Sequence, residues 1–330
     1  MSGRPLVVVG ASAGGVEGLR AMARTLPLGL DAPVLVVLHT SPGASSVLAS
    51  ILDRAGPLPS TTPYDGEPLL AGHIYVAPPN HHLTVRDGRA ALSRGPRENG
   101  NRPAIDPLFR SAVRAAGPAA IGVVLSGTLD DGASGLAAVA RHGGTAIVQD
   151  PTDALYSGMP LAALKSVPDA IVGPADRLGA LITKALNGAG VDAPRHDPLL
   201  DQEIAIAELN MEELNSPDRP GTPAGLGCPD CHGALFAVSD GQVTRFRCRV
   251  GHAWSPESLL DRQDSALESA LWMALRTMED KAALHRRLAD SAIERGAERV
   301  AGWNIQSARE IAESARLIRD LLSREPPGHS

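Results

Sequence analysis

Leu6-Val7-Val8-Val9-Gly10-Ala11-Ser12-Ala13-Gly14-Gly15 is the stretch that decides the fold. A run of apolar, mostly β-branched residues enters, small residues turn the chain, and Glu17–Leu26 leaves with helical spacing. The same alternation continues downstream. Val34–Leu38, Ile74–Ala77, Ile121–Leu125 and Thr145–Val148 read as further strands. Ala44–Arg54, Asp106–Ala116 and Ser134–His142 read as helices between them. The strands are apolar on both faces, as in a parallel sheet covered by helices, so the expectation is a doubly wound, mostly parallel α/β fold. Arg86-Asp87-Gly88 between two short apolar runs predicts a local antiparallel hairpin.

The chain has 330 residues, which at roughly 100–200 per domain suggests about two domains. Composition shifts place the divisions. Residues 1–190 carry the α/β pattern, and 191–227 read as a linker punctuated by Pro194, Pro198, Pro217, Pro220 and Pro223. Within it, Asp201–Leu214 is expected to form one short acidic helix. Residues 228–256 hold all three cysteines, and 257–330 are helical in pattern. One apolar stripe there runs through Leu260, Leu267, Leu271, Leu275, Met278 and Ala282. A second runs through Val300, Ala308, Ile311, Ala315, Ile318 and Leu322, so a helical hairpin is expected with its stripes packed on each other.

Charge and targeting signals narrow the function. The net charge of −6 gives no electrostatic support to a nucleic-acid partner. Three cysteines argue against a disulfide framework and for a reducing compartment. The N-terminal apolar run is too short for a signal-peptide core, and no stretch approaches ~18 apolar residues. A cytoplasmic protein without membrane insertion is the expectation.

Ser12 sits where a helix begins, so unpaired N–H groups point out beside it and offer an oxyanion site. Gly10-x-Ser12-x-Gly14 matches the nucleophile-elbow pattern, and Gly10-x-Ser12-x-x-Gly15 also approximates a dinucleotide fingerprint. The dinucleotide reading wants an acid after the second strand, but Val34–Leu38 is followed by His39, which supplies a base. Leu125-Ser126-Gly127-Thr128-Leu129-Asp130-Asp131-Gly132 follows a later strand. Either aspartate is placed to orient His39. Serine, histidine and aspartate thus share the carboxyl edge of the sheet, where doubly wound folds bind ligands.

Residues 1–186 resemble the catalytic domain of the chemotaxis protein-glutamate methylesterases, the CheB family. The resemblance runs through Val9–Gly15 and Leu38-His39, then Tyr75-Val76-Ala77-Pro78-Pro79-Asn80-His81-His82. It continues in Arg102-Pro103-Ala104-Ile105-Asp106-Pro107-Leu108-Phe109, Gly122–Gly135, Gln149-Asp150-Pro151-Thr152 and Gly158-Met159-Pro160. It implies a carboxylic ester hydrolase that cleaves glutamate methyl esters on the cytoplasmic domain of chemoreceptors, with glutamine deamidation as a companion activity. The implied nucleophile is Ser12, the base His39 and the acid Asp131. The implied oxyanion donors are the backbone N–H groups of Ala13 and Thr128. No cofactor is implied for catalysis. Ala13 stands where the family often has threonine, and Thr128-Leu129-Asp130 replaces a more usual Met-Gly-Asn. The family's best-known members precede this domain with a phosphorylatable receiver, whereas this sequence opens at the first catalytic strand, so the expectation is an uninhibited enzyme or one regulated by its C-terminal extension.

Cys228-x2-Cys231 and Cys248-x3-His252 enclose sixteen residues with Asp240-Gly241 between two apolar runs. Two knuckles joined by a hairpin are the pattern of a zinc ribbon, and a Cys₃His set fills a tetrahedron, so a structural zinc is expected. His232, adjacent to Cys231, is a less favourable competing ligand. An adaptor role, docking a protein partner or the esterase mouth, is the expectation for this extension. Two other readings stay open from sequence: a non-catalytic signalling or adaptor module that retains the fold, and a nucleotide-binding α/β domain.

Overall fold

The computed structural model describes residues 4–44, 46–190, 192–216, 221–240 and 243–323. It comprises two compact units, one extending to Leu259 and the other from Leu260 onward. No described helix is long and apolar enough to cross a membrane.

The first unit is built on a seven-stranded parallel sheet. Its strands are β1 (Leu6–Ala11), β2 (Val34–Leu38), β3 (Ser60–Thr61), β4 (Ile74–Val76), β7 (Ala120–Val124), β8 (Thr145–Gln149) and β9 (Ile171–Gly173), in the order β3-β4-β2-β1-β7-β8-β9. The chain moves outward from β1 to one edge, then returns to β7 on the other side of β1. That reversal makes the carboxyl ends of β1 and β7 the switch point of the sheet, the usual place for a ligand. Alternation along β1 explains the layering. Leu6 and Val8 face one core, and Val7, Val9 and Ala11 face the other. The first core is closed by α3 (Ile105–Ala116), α4 (Ala133–Arg141), α5 (Gly158–Ser166) and α7 (Pro198–Ala207). The second is closed by α1 (Gly15–Thr25), α2 (Leu48–Ala55) and α6 (Leu178–Asn187). Leu19, Met22, Leu52, Leu178 and Ile182 are all sequestered there, each removing about 1.5–3 kcal/mol worth of apolar surface from water.

The hairpin expected at Asp87-Gly88 forms as β5 (His82–Arg86) and β6 (Arg89–Ser93). Both turn residues have positive φ, 51° and 71°, as a two-residue turn between right-twisted strands requires. The acidic stretch forms two helices rather than one, α7 and α8 (Met211–Asn215), with Leu209 between them at φ 61°. Asp197 caps α7 by accepting from the Leu199 and Leu200 N–H groups, and Leu200 and Ile204 bury into the first core. Pro217 and Pro220 lie outside the described residues.

A four-stranded antiparallel sheet follows: β10 (Thr222–Gly227), β11 (Ala234–Asp240), β12 (Val243–Cys248) and β13 (Ala253–Trp254). The β11–β12 pairing is the hairpin expected from Asp240-Gly241, and Gly241 lies outside the described residues. Arg247 on β12 enters a buried ion network. It donates to Glu203 on α7 at 2.9 Å and to Glu98 at 3.0 Å, while Arg110 on α3 donates to Glu98 at 2.5 Å. Burial alone would raise the Glu203 carboxyl, but Arg245, Arg247 and Arg110 hold it well below its usual range.

The second unit holds α9 (Pro256–Glu294) from Leu260 onward and α10 (Glu298–Leu322), which form the expected hairpin. The chain turns at Gly296, φ 71°, where the Ala297 N–H reaches the Ala292 carbonyl. The buried seam is richer in alanine than the two stripes suggest. Ala282, Ala289, Ala292, Ala301, Ala308 and Ala315 are buried, whereas Leu267 and Val300 are exposed. His285 and Asn304 hydrogen bond across the hairpin at 2.8 Å.

Candidate active site

The β1–α1 turn is made by two glycines with different duties. Gly14 takes φ 68° as the residue before α1, a conformation that side chains resist. Gly10 lies against the start of α3, where any Cβ would meet Ile105 Cγ2 at 2.3 Å. The turn therefore brings Ser12 to the mouth of α1 and lets α3 begin beside β1. Ser12 donates its N–H to the Ser126 carbonyl after β7, and Ser126 Oγ donates back to the Ala13 carbonyl at 2.8 Å. The Ser126 N–H is in turn held by Gln149 Oε1 at 2.9 Å. Two loops at the switch point are thus tied together around Ser12.

His39 follows β2, with its N–H on the Ala11 carbonyl. Its Nδ1 lies 3.2 Å from Ser12 Oγ, and its Nε2 lies 2.7 Å from Asp131 Oδ2. Asp131 is buried and accepts several further hydrogen bonds. The Ile105 N–H donates to Oδ2 at 2.8 Å, and Asn99 Nδ2 donates to Oδ1 at 3.0 Å. Burial would raise this carboxyl, but the His39 hydrogen bond and charge, the Ile105 N–H and the Asn99 amide outweigh it and hold it below the usual aspartate value. Asp130 points elsewhere, accepting from Ser255 Oγ at 2.6 Å and Ser258 Oγ at 2.8 Å. The structure therefore brings Ser12, His39 and Asp131 into one chain of contacts and leaves Asp130 outside it.

The Ala13 N–H faces no acceptor among the described residues, and it lies at the positive end of α1. Thr128 is exposed on the loop after β7, and Leu129 beside it holds φ 59°. An aliphatic side chain in that conformation carries strain of about 1–2 kcal/mol. A cleft of about 310 Å³ opens at His39, lined by Thr40, Ser41, Pro42, Arg97, Gly100, Asn101 and Arg102. Arg102 is fixed by two hydrogen bonds to Asn80 Oδ1, at 3.0 and 2.7 Å. Leu155 and Tyr156 expose apolar surface nearby, and the Tyr156 carbonyl takes the Gly127 N–H.

This geometry can be set beside known proteins. The family model described as CheB methylesterase matches residues 7–182. The chain belongs to the CheB methylesterase family. A CheB-family relative from Myxococcus xanthus, named protein-glutamate methylesterase/protein-glutamine glutaminase 4, is 40% identical over 187 residues. That match covers 56% of this chain and 53% of the relative. A relative from Anaeromyxobacter dehalogenans, named as number 3 of the same activity, is 42% identical over 179 residues, 52% of each chain. The chain thus spans about half the length of the curated relatives it matches. The crystal structure of the Thermotoga maritima CheB methylesterase catalytic domain aligns with TM-score 0.52 and 31% identity, covering 56% of this chain and 99% of that one.

The second cluster expected from sequence also assembles. Ligand atoms of Cys228, Cys231, Cys248 and His252 all lie within 4.8 Å of one another. Cys231 Sγ is 3.6 Å from Cys248 Sγ, and His252 Nδ1 is 3.8 Å from Cys228 Sγ and 3.6 Å from Cys248 Sγ. A tetrahedron with zinc bond lengths of about 2.0–2.3 Å has edges of roughly 3.5–3.8 Å, which these three spacings match, and three thiols with one imidazole are donors that suit the ion. Burial pushes the Cys248 thiol up to about 12, with Cys228 beside it adding to the shift. A divalent cation reverses that penalty by binding thiolates.

Asn99 carries no motif and is missed by sequence reading, while Ser255 and Ser258 lie in Trp254-Ser255-Pro256-Glu257-Ser258, a stretch to which the sequence assigns no role. Glu98-Asn99-Gly100 offers one local clue, since Asn before Gly is a turn pair suited to positive φ.

Proposed function

We propose that the chain is a serine esterase that hydrolyses glutamate γ-methyl esters on the cytoplasmic domain of chemoreceptors. The observation that carries this is the Ser12 Oγ, His39 and Asp131 contact chain, at 3.2 and 2.7 Å, set at the switch point of the sheet. The names of the family relatives give the substrate class.

In this reading His39 Nδ1 takes the proton of Ser12 Oγ as the oxygen attacks the ester carbonyl. The negative charge moves to the carbonyl oxygen, where the Ala13 N–H and that of Thr128 receive it; one such donor is worth about 100- to 1000-fold in rate. Collapse breaks the bond to methoxide, which takes the proton from His39 and leaves as methanol. Water then attacks the acyl-serine, gives its proton to His39, and the glutamate carboxylate departs as Ser12 regains its hydrogen. Glutamine enters the same path with ammonia as leaving group. Asp131 stays ionised throughout and stabilises the imidazolium. No step needs a cofactor.

Cys228, Cys231, Cys248 and His252 hold a structural zinc in this account. Four protein ligands close the coordination shell, so the ion supplies stability to a segment with a small core.

A fluorophosphonate probe tests the nucleophile. Labelling is expected at Ser12 alone and should slow at least about 1000-fold in His39→Ala. Labelling elsewhere, or labelling that ignores His39, contradicts the reading.

A further inference from the structure

We propose that Asn99 is a positioning residue for this reaction, and that the C-terminal Cys/His segment sets its orientation through Ser255. The inference rests on the Ser12, His39 and Asp131 reading and deepens it.

Asn99 is buried, at φ 50°, between two partners. Its Nδ2 donates to Asp131 Oδ1 at 3.0 Å, and its Oδ1 accepts the Ser255 N–H at 2.8 Å. A backbone N–H can only donate, so Ser255 fixes which end of the amide faces it. The NH₂ end must then face Asp131. His39 occupies Oδ2 of that carboxylate. Asn99 shares Oδ1 with the Gly132 N–H at 3.1 Å and the Asp106 N–H at 3.4 Å, and as the one side-chain donor there among the described residues it restrains the rotation of the carboxylate and helps keep Oδ2 aimed at the imidazole.

Ser255 owes its place to the segment. β13 pairs with β12 at Trp254 and Ala253, and the Cys248 N–H bonds to the His252 carbonyl. Residues 97–99 then pair with Ala253: its N–H goes to the Arg97 carbonyl, and the Asn99 N–H goes to the Ala253 carbonyl. Trp254 is buried, and a Cβ on Gly100 would lie 3.7 Å from its ring. The loop that carries Asn99 thus uses the segment as its template, and the order of the segment is read at Asp131.

The test uses the full chain and methanol release from methylated receptor. Asn99→Gly suits positive φ and removes the amide, and it should lower kcat about 10- to 100-fold with KM within about twofold. Asn99→Asp keeps an acceptor for Ser255 but sets a carboxylate against Asp131. It should lower kcat further and move the acid limb of the kcat–pH profile upward, since like charges resist ionisation together. If Asn99 only bridges to Ser255, Asn99→Asp instead keeps near-normal kcat and an unmoved limb, which overturns the proposal. Cys231→Ser, which perturbs the segment away from Asp131, should lower kcat in the parent and add little in Asn99→Gly. Equal fold losses in both backgrounds overturn the route through Asn99. Should Cys231→Ser not fold, the two Asn99 variants decide. Activity that survives in Ser12→Ala defeats the esterase reading itself; an inactive Ser12→Ala with a normal Asn99→Asp defeats only this inference.

Discussion

Asp106 and Asp131 meet where α3 begins, and two buried carboxyls cannot share that space as equals. Burial pushes Asp106 up to about 7, and the charge of Asp131 adds to the shift. Asp131 stays ionised because His39, Ile105 and Asn99 all donate to it. The sign for stability follows. Between about pH 4 and 7 the folded chain keeps a proton on Asp106 that the unfolded chain has lost, so stability falls as pH rises through that window. Asp131, with its lowered value, gives its stabilisation above about pH 4 and loses it only below. Asp106→Asn should therefore flatten the loss of urea midpoint between pH 4 and 7; an unchanged slope would contradict the assignment. Asp131→Asn should reduce kcat about 10³- to 10⁴-fold, because the imidazole loses its partner. Asp130→Asn should cost far less, measured by methanol release. The sequence placed Ser12 and His39 because each follows a strand. It could not separate Asp130 from Asp131, since adjacent loop residues obey no period; family resemblance chose between them. Asn99 was invisible because its partners, Asp131 and Ser255, lie 32 and 156 residues away.

At the scale of elements, apolar runs located β1, β2 and β7, which are sandwiched between the two cores and have no polar residue to confuse the pattern. β3 and β9 escaped notice because β3, Ser60-Thr61, has no apolar residue and β9 offers only Ile171 and Val172 before Gly173. The helical hairpin was legible, and its seam in part: Leu275, Ala282, Ala308 and Ala315 of the two stripes are buried, whereas Leu260, Leu267 and Val300 are exposed. Leucine stripes suggested the contact, while close packing selected alanines. The buried ions of β12, α7 and α3 were also hidden, since a charged residue reads as surface until its partner arrives. Arg247→Leu leaves Glu98 and Glu203 short of a counter-charge and should destabilise the fold by about 3–5 kcal/mol, read as a lower urea midpoint. The Cys/His element should carry close to one zinc per chain. Purified protein without metal and with three freely reactive thiols would contradict that site.

Across the whole molecule, the reversal of strand order about β1 explains why the chemistry gathers where it does. Loops after β1, β2 and β7 each deliver one member of the contact chain, and α3 supplies the N–H that steadies the acid. A chain matching about half of its relatives' length carries this whole constellation. The central claim is that Ser12 performs ester hydrolysis, and release of methanol from methylated receptor measures it. Wild-type protein should release methanol in step with new receptor carboxylates, and Ser12→Ala, folded by circular dichroism, should release it at least about 1000-fold more slowly. Methanol release by Ser12→Ala at the wild-type rate would contradict the account.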